Sequence, residues 1–155
     1  MRPIAGRAPG DRAAIEATLL ALNNDHAAEL SLLDAARLAT LVDRTFHARA
    51  IDDGPAFLLA FDQDADYDSP NFLWFRARLT RFVYVDRVVV APAARGRGLA
   101  RALYGDLFEA ARPAAHDRVV CEVNSHPPNP ASDAFHAALG FAEIGTAAIH
   151  GGAKT

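Results

Sequence analysis

The apolar positions of this chain fall into two rhythms, and the switches between them mark the elements. Residues 2–5 form a short segment that Gly6, Pro9 and Gly10 break, which predicts a brief first strand. Asp11 is placed to cap a helix whose apolar face is Ile15, Leu19, Leu20 and Leu22. That segment runs into Asn23-Asn24-Asp25-His26, which reads as too polar for a core. Ser31 is the expected cap of a second helix, with Leu33, Leu38, Leu41 and Val42 at helical spacing up to about Phe46. The rhythm then changes. Residues 47–51 and 56–62 predict two strands around the hairpin signal Asp52-Asp53-Gly54. The second contains AFLLAF, with no polar position, so it should lie centrally in its sheet.

Residues 63–81 begin acidic and become aromatic, with Tyr67, Phe72, Trp74 and Phe75, and read as a long functional loop. Three parts follow without a gap: an apolar β-branched run from Val83 to Val90, a turn from Ala91 to Gly98, and a helix from Leu99 to Arg112 that Pro113 ends. Residues 118–123 form another strand, and Asn124 to Asn129 a Pro-rich turn. Pro130 opens a helix running to Leu139, with Gly140 as its C-terminal cap. Phe141–Ile144 and Thr146–Ile149 are the expected closing strands. The order β-α-α-β-β-loop-β-α-β-α-β describes one α/β or α+β domain over residues 1–155, with a mostly antiparallel sheet at the front.

Composition narrows the class. The 155 residues are 51% apolar and 23% charged, ordinary for a globular domain and unlike a disordered chain. With a net charge of −3 and no dominant basic stripe, nucleic acid is not an expected partner. Cys121 is the only cysteine, which excludes an internal disulfide and fits a reducing compartment. No apolar run approaches the roughly 20 residues of a membrane span, and the first residues lack a signal-peptide centre. A cytoplasmic protein is the expectation.

The turn from Ala91 to Gly98 carries the chemistry. It holds two glycines and two arginines and opens a helix, whose first N–H groups have no partner inside it. Such an end favours a phosphate or pyrophosphate. A P-loop is excluded, because no Gly-x-x-x-x-Gly-Lys-Ser/Thr string exists. A dinucleotide fingerprint fits poorly: Arg101 stands where its third glycine belongs, and Ala91 to Arg95 separate the strand from Gly96.

The remaining pattern resembles the GCN5-related N-acetyltransferases. Val90-Ala91-Pro92 followed by Arg95-Gly96-Arg97-Gly98-Leu99-Ala100 is similar to that family's acyl-CoA signature, Gln/Arg-x-x-Gly-x-Gly/Ala after a V-x-P strand exit. A second family pattern recurs downstream at Asn129, Ser132, His136 and Gly140-Phe141. Together they cover residues 82–145. The resemblance implies a mixed, mostly antiparallel sheet flanked by helices, splayed between the strands at 83–90 and 118–123. It implies acetyl-CoA as co-substrate, no metal, and transfer of the acetyl group to a primary amine by direct attack. A CoA pyrophosphate would be held by the N–H groups of Gly96, Arg97, Gly98, Leu99 and Ala100, with charge from Arg95 and Arg97. The pantetheine arm would pair with the backbone of Val88 to Val90, and the Val90 N–H would polarise the carbonyl. Asn129 and Ser132 are further cofactor candidates.

Alternation along a strand puts Tyr84, Asp86, Val88 and Val90 on one face. Asp86 is then a base, an anchor for the substrate amine, or a partner of Arg87 or another arginine. Glu122 is a second candidate base. His136 stands where many relatives have a tyrosine taken to protonate the CoA sulfur; with a reference pKa of about 6.5 it suits an acid, a hydrogen-bond donor to sulfur, or a satisfied helix histidine. The acceptor site implied by the family falls on Asn23, Asn24 and Glu29, on Tyr67, Asn71 and Trp74, and on Tyr84 and Asn124. It suits a small amine, an amino-acid derivative or a peptide N-terminus. The alternative is an acyl-CoA-binding module that senses without transferring. The short stretch after Gly151-Gly152 also raises a homodimer in which a partner completes the last sheet edge.

Overall fold

The structure, a computed structural model, describes residues 2–4, 9–25, 33–51, 55–114, 118–121 and 130–142. Among the described residues, five strands form one sheet in chain order: β1 (Arg2–Pro3), β2 (His47–Ile51), β3 (Ala56–Asp62), β4 (Val83–Val90) and β5 (Val119–Val120). The first three pairings are antiparallel and β4 pairs β5 in parallel. This is the mixed sheet expected. All of β3 from Ala56 to Phe61 is buried, because it has strands on both edges and helices on both faces.

The layers follow from the period-two pattern of β3. Phe57 and Leu59 pack with Ile15, Leu19 and Leu22 of α1 (Pro9–Asp25) and with Leu38 and Val42 of α2 (Ala35–Arg44). Ala56, Leu58 and Ala60 face Leu103, Tyr104 and Leu107 of α4 (Leu99–Ala111), with Phe135 and Leu139 from α5 (Pro130–Ala138) and its end. Phe61 joins a third cluster with Tyr67, Phe82, Tyr84, and Phe72 and Phe75 of α3 (Pro70–Arg76). A half-buried pair ties α4 to the sheet: His47 Nε2, itself buried, lies 2.7 Å from Asp106 Oδ2. Burial, with the nearby Arg49 charge, holds the His47 pKa below its ordinary value despite Asp106.

Several expectations are corrected. The first helix begins at Pro9, so Asp11 lies inside it. It runs through Asp25, and Asn23 is fully buried rather than too polar for a core. Asp34 caps α2, its carboxylate accepting from the Arg37 N–H at 2.7 Å; α2 ends at Arg44. The stretch at 63–81 is no plain loop, since Pro70–Arg76 is helical and puts Phe72 and Phe75 inside. The aromatic spacing there carried a helix face. The Asp52–Gly54 turn, Ser31 and the closing strands after Ala142 lie outside the described residues.

Candidate active site

The strand β4 leaves the sheet through a single 3-10 turn, Pro92–Ala94, in which the Ala94 N–H reaches the Ala91 carbonyl at 2.9 Å. Arg95 is extended, and the chain then enters α4 through two left-handed glycines, Gly96 (φ +81°) and Gly98 (φ +72°). Only glycine adopts this conformation without strain against its own Cβ. The first α4 bond runs from the Ala102 N–H to the Gly98 carbonyl at 3.0 Å. The N–H groups of Gly98, Leu99, Ala100 and Arg101 therefore have no acceptor within the helix, and they stand at the positive end of its dipole. Gly98 caps α4 without any side-chain hydrogen bond. Residues 95–98 are exposed, and a Cβ on either glycine would meet nothing within 4 Å. The turn is open, exposed backbone, with arginines at 95 and 97.

Upstream, the register of β4 sets which of its peptide groups face away from β3. The Ala91 N–H donates to the Pro55 carbonyl, on the β3 side, at 2.7 Å. Peptide groups alternate along a strand, so those of Val88 and Val90 point away from β3. That is the β5 side, where the described pairing ends at Tyr84↔Val120. Two consecutive outward peptide groups thus lead to the glycine turn.

A bulge interrupts the strand. Arg87 pairs with Leu59 and Val85 with Ala60, so Asp86 is the extra residue. The odd–even rule reverses there. Val83 and Val85 pack on the α4 side, and so do Val88 and Val90, while Tyr84 and Val89 pack on the other. The expected common face for Tyr84, Asp86, Val88 and Val90 is therefore wrong.

At the bulge lies a buried polar chain. The Tyr67 hydroxyl donates to Asp86 Oδ1 at 2.6 Å, and Arg87 Nε donates to Asp86 Oδ2 at 2.5 Å. Arg87 Nη1 donates to Asn23 Oδ1 at 2.8 Å. Asn23 Nδ2 reaches Asn24 Oδ1 at 3.1 Å, and Asn24 brackets Leu33 by bonding both its N–H (3.1 Å) and its carbonyl (3.0 Å). The Asp86 and Arg87 side chains are each 5% exposed. Burial works against the Arg87 charge, but the adjacent carboxylate outweighs it and holds the guanidinium pKa above its ordinary value. Burial, reinforced by the Asp86 charge, raises the Tyr67 phenol far above its usual range, so Tyr67 stays a donor. Of the three roles open to Asp86, the structure shows the pairing with Arg87.

His136 makes a second polar cluster. Its Nδ1 lies 2.7 Å from the Ser132 carbonyl one turn back, and Nε2 lies 2.9 Å from the Tyr104 hydroxyl. A carbonyl only accepts, so Nδ1 carries the proton and Nε2 takes one from Tyr104. Ser132 Oγ also lies 3.2 Å from Nδ1. The ring is packed among Tyr104, Phe135 and Phe141.

The family model described as "Acetyltransferase (GNAT) family" matches residues 41–141, from α2 to just past α5, so it takes in β4, the glycine turn and His136. The chain belongs to this family. Solved GNAT-type structures agree with the fold. A Trypanosoma brucei acetyltransferase is 21% identical, with 87% of this chain and 91% of that one covered and a TM-score of 0.61. A ribosomal-protein-alanine N-acetyltransferase from Brucella melitensis is 21% identical over 86% of this chain and 87% of that one, with a TM-score of 0.55. The aminoglycoside N-acetyltransferase AAC(6')-Iy in complex with CoA is 16% identical over 85% and 84%, with a TM-score of 0.60. No curated protein matches.

Within this GNAT domain the expected site residues separate into groups. Val88, Val90 and Arg95 to Ala100 form one continuous edge and turn. Asn23, Asn24, Tyr67 and Asp86 come together in the buried chain, so Asn23 and Tyr67 present no free surface for an acceptor. Tyr67 also stacks on Phe61 at 4.3 Å between centroids. Tyr84 is fully buried against Phe72 and Phe75, which removes it from direct substrate contact as well. Asn71 and Trp74 sit on α3, with Arg78 over the Trp74 ring at 4.0 Å. Glu29, Glu122, Asn124 and Asn129 lie outside the described residues. Arg87 and Tyr104 were not anticipated as site residues. A buried arginine inside an apolar strand and a tyrosine inside an apolar helix face were the available signals.

Proposed function

We propose that this chain is an acetyl-CoA-dependent N-acetyltransferase acting on a primary amine of a small molecule, an amino-acid derivative or a peptide N-terminus. The observation that carries this is the continuity of two backbone features: the outward peptide groups of Val88 and Val90, and the uncapped start of α4 behind Gly98. An extended, amide-rich arm ending in a pyrophosphate needs those two, in that order. Acetyl-CoA supplies a thioester that an amine attacks without an enzyme nucleophile. The N–H groups from Gly96 to Ala100, with Arg95 and Arg97, are assigned to the pyrophosphate. The Val88 and Val90 peptides hold and polarise the acyl end. Among structural neighbours, one is named for aminoglycosides and another for a ribosomal-protein alanine, which supports an amine acceptor. Acceptor contacts are assigned to Asn71 and Trp74, with Glu29 and Asn124 as further candidates and Glu122 as the candidate base.

A single domain in a cytoplasmic setting is part of the same reading, since the only cysteine, Cys121, suits a reducing compartment. Among the described residues no helix is long and apolar enough to cross a membrane. A homodimer is carried as a proposal that light scattering resolves.

The second reading, a non-transferring acyl-CoA-binding module, has one observation in its favour. Asp86 and His136 both spend their polar atoms on internal partners. One experiment separates the readings. The protein is screened by thermal shift with CoA, acetyl-CoA and NAD, then given an amine panel with free-thiol release followed. Stabilisation by acetyl-CoA with thiol release supports the enzyme, and stabilisation without release on any amine supports the module. Stabilisation by NAD alone overturns both.

A further inference from the structure

The bulge at Asp86 decides which peptide groups of β4 face away from β3. With Asp86 extra, Val88 and Val90 point outward and Arg87 and Val89 toward β3. Sliding residues 87–90 by one position against β3 exchanges these roles. It would also turn the Arg87 side chain from the α1 layer, where Asn23 meets it, into the apolar α4 layer of Val85, Leu103 and Tyr104.

We propose that Arg87, held between Asp86 and Asn23, is a positioning residue that locks the register of β4 and so fixes the Val88 and Val90 peptides for the acyl end of the cofactor. The functional half of this rests on the acetyltransferase reading above. The lock works by exclusion. In the observed register the guanidinium has a carboxylate at Nε and an amide oxygen at Nη1. In the slipped register it is buried with neither, the one arrangement a charged group cannot tolerate. An ion pair of this kind specifies a geometry more than it stabilises a fold. Asn23 and Tyr67 belong to the lock: each supplies one end of the hydrogen-bonded chain, and neither needs to touch a substrate.

The test is the full chain carrying Asp86→Leu with Arg87→Met, which removes both charges. The first readout needs no cofactor. Amide spectra and hydrogen exchange of residues 84–90 are expected to show a second, dominant set of signals, with protection at the Val88 and Val90 amides in that set. Acetyl transfer is expected to fall at least 10-fold in kcat. CoA affinity is expected to fall less than kcat, because the glycine turn assigned to the pyrophosphate is untouched while the pantetheine arm shares the Val88–Val90 edge. If the double variant does not fold, Asn23→Leu reports the same exchange pattern in a weaker form. A single set of signals with the wild-type exchange pattern, in either variant, overturns the lock. If the signals double but the wild-type protein never binds CoA, the lock stands and the functional reading falls.

Discussion

Tyr104 donates to His136 Nε2 across 2.9 Å, and the direction of that bond is fixed by a carbonyl on the far side of the ring. With Nδ1–H held by that carbonyl, the ring offers Nε2 as its acceptor, and the tyrosine hydroxyl occupies it. Tyr104→Phe keeps the ring packing but leaves Nε2 unmet in a half-buried site. That should cost about 1–3 kcal/mol, the usual penalty for an orphaned polar group. Urea unfolding of the variant measures it. Nitrogen shifts of the His136 ring should still show the Nδ1–H form, because the Ser132 carbonyl remains. An unchanged midpoint would mean that water replaces the hydroxyl.

Removing one member of the Asp86–Arg87 pair should be far worse than removing both. Arg87→Met strands a carboxylate with 5% exposure and should cost about 3–5 kcal/mol. The double replacement with Asp86→Leu should recover most of that. Chemical denaturation of the two variants side by side gives the comparison. Equal losses would show that packing, and not the stranded charge, dominates.

His47 couples stability to acidity. Its folded pKa is depressed from 6.5, by burial first and the Arg49 charge second. Below 6.5 the unfolded chain takes up a proton that the folded chain refuses. Stability from this group is thus fully present above 6.5 and is lost as pH falls from there toward the folded value. His47→Gln should flatten that part of the stability–pH curve. Thermal melts between about pH 5 and 7 would read the difference in slope, and parallel curves would rule the group out.

The glycine turn allows strain to be separated from binding. Gly98→Ala has open space for its Cβ, so its cost in the free protein is the left-handed backbone alone, about 1–2 kcal/mol. Gly98→Asn should cost less, since asparagine tolerates that region. Both should weaken CoA binding, because each puts a side chain where the phosphate is assigned. Calorimetric titration alongside melting curves tests this. CoA bound with wild-type affinity by Gly98→Asn would move the phosphate site elsewhere.

Much of this was legible in the sequence because it was periodic or local. The limits of β2, β3 and β4 follow from apolar runs that end at turn residues. AFLLAF announces a strand covered on both faces. The anion turn is legible because two glycines at a helix start have few other uses. The bulge was not, because counting by twos assumes a constant rule, and one extra residue breaks it without any compositional mark. Asn23 was misjudged for a related reason. Its polarity argues for a surface only until Arg87, 64 positions away in the chain, is brought against it. The Tyr104–His136 bond likewise joins two helices, and neither sequence segment mentions the other. Such contacts arise from packing, which a linear pattern does not encode.

The unpaired residue in β4 also bears on how this chain should be aligned with others. A relative whose corresponding strand lacks the extra position matches this one only if a gap is opened at Asp86. Without that gap, every residue on one side of it is assigned to the wrong layer, and buried valines appear to be replaced by polar groups. The same arithmetic makes a clean loss of the position the milder change: removing that one residue restores regular alternation and leaves Val83, Val85, Val88 and Val90 all facing α4.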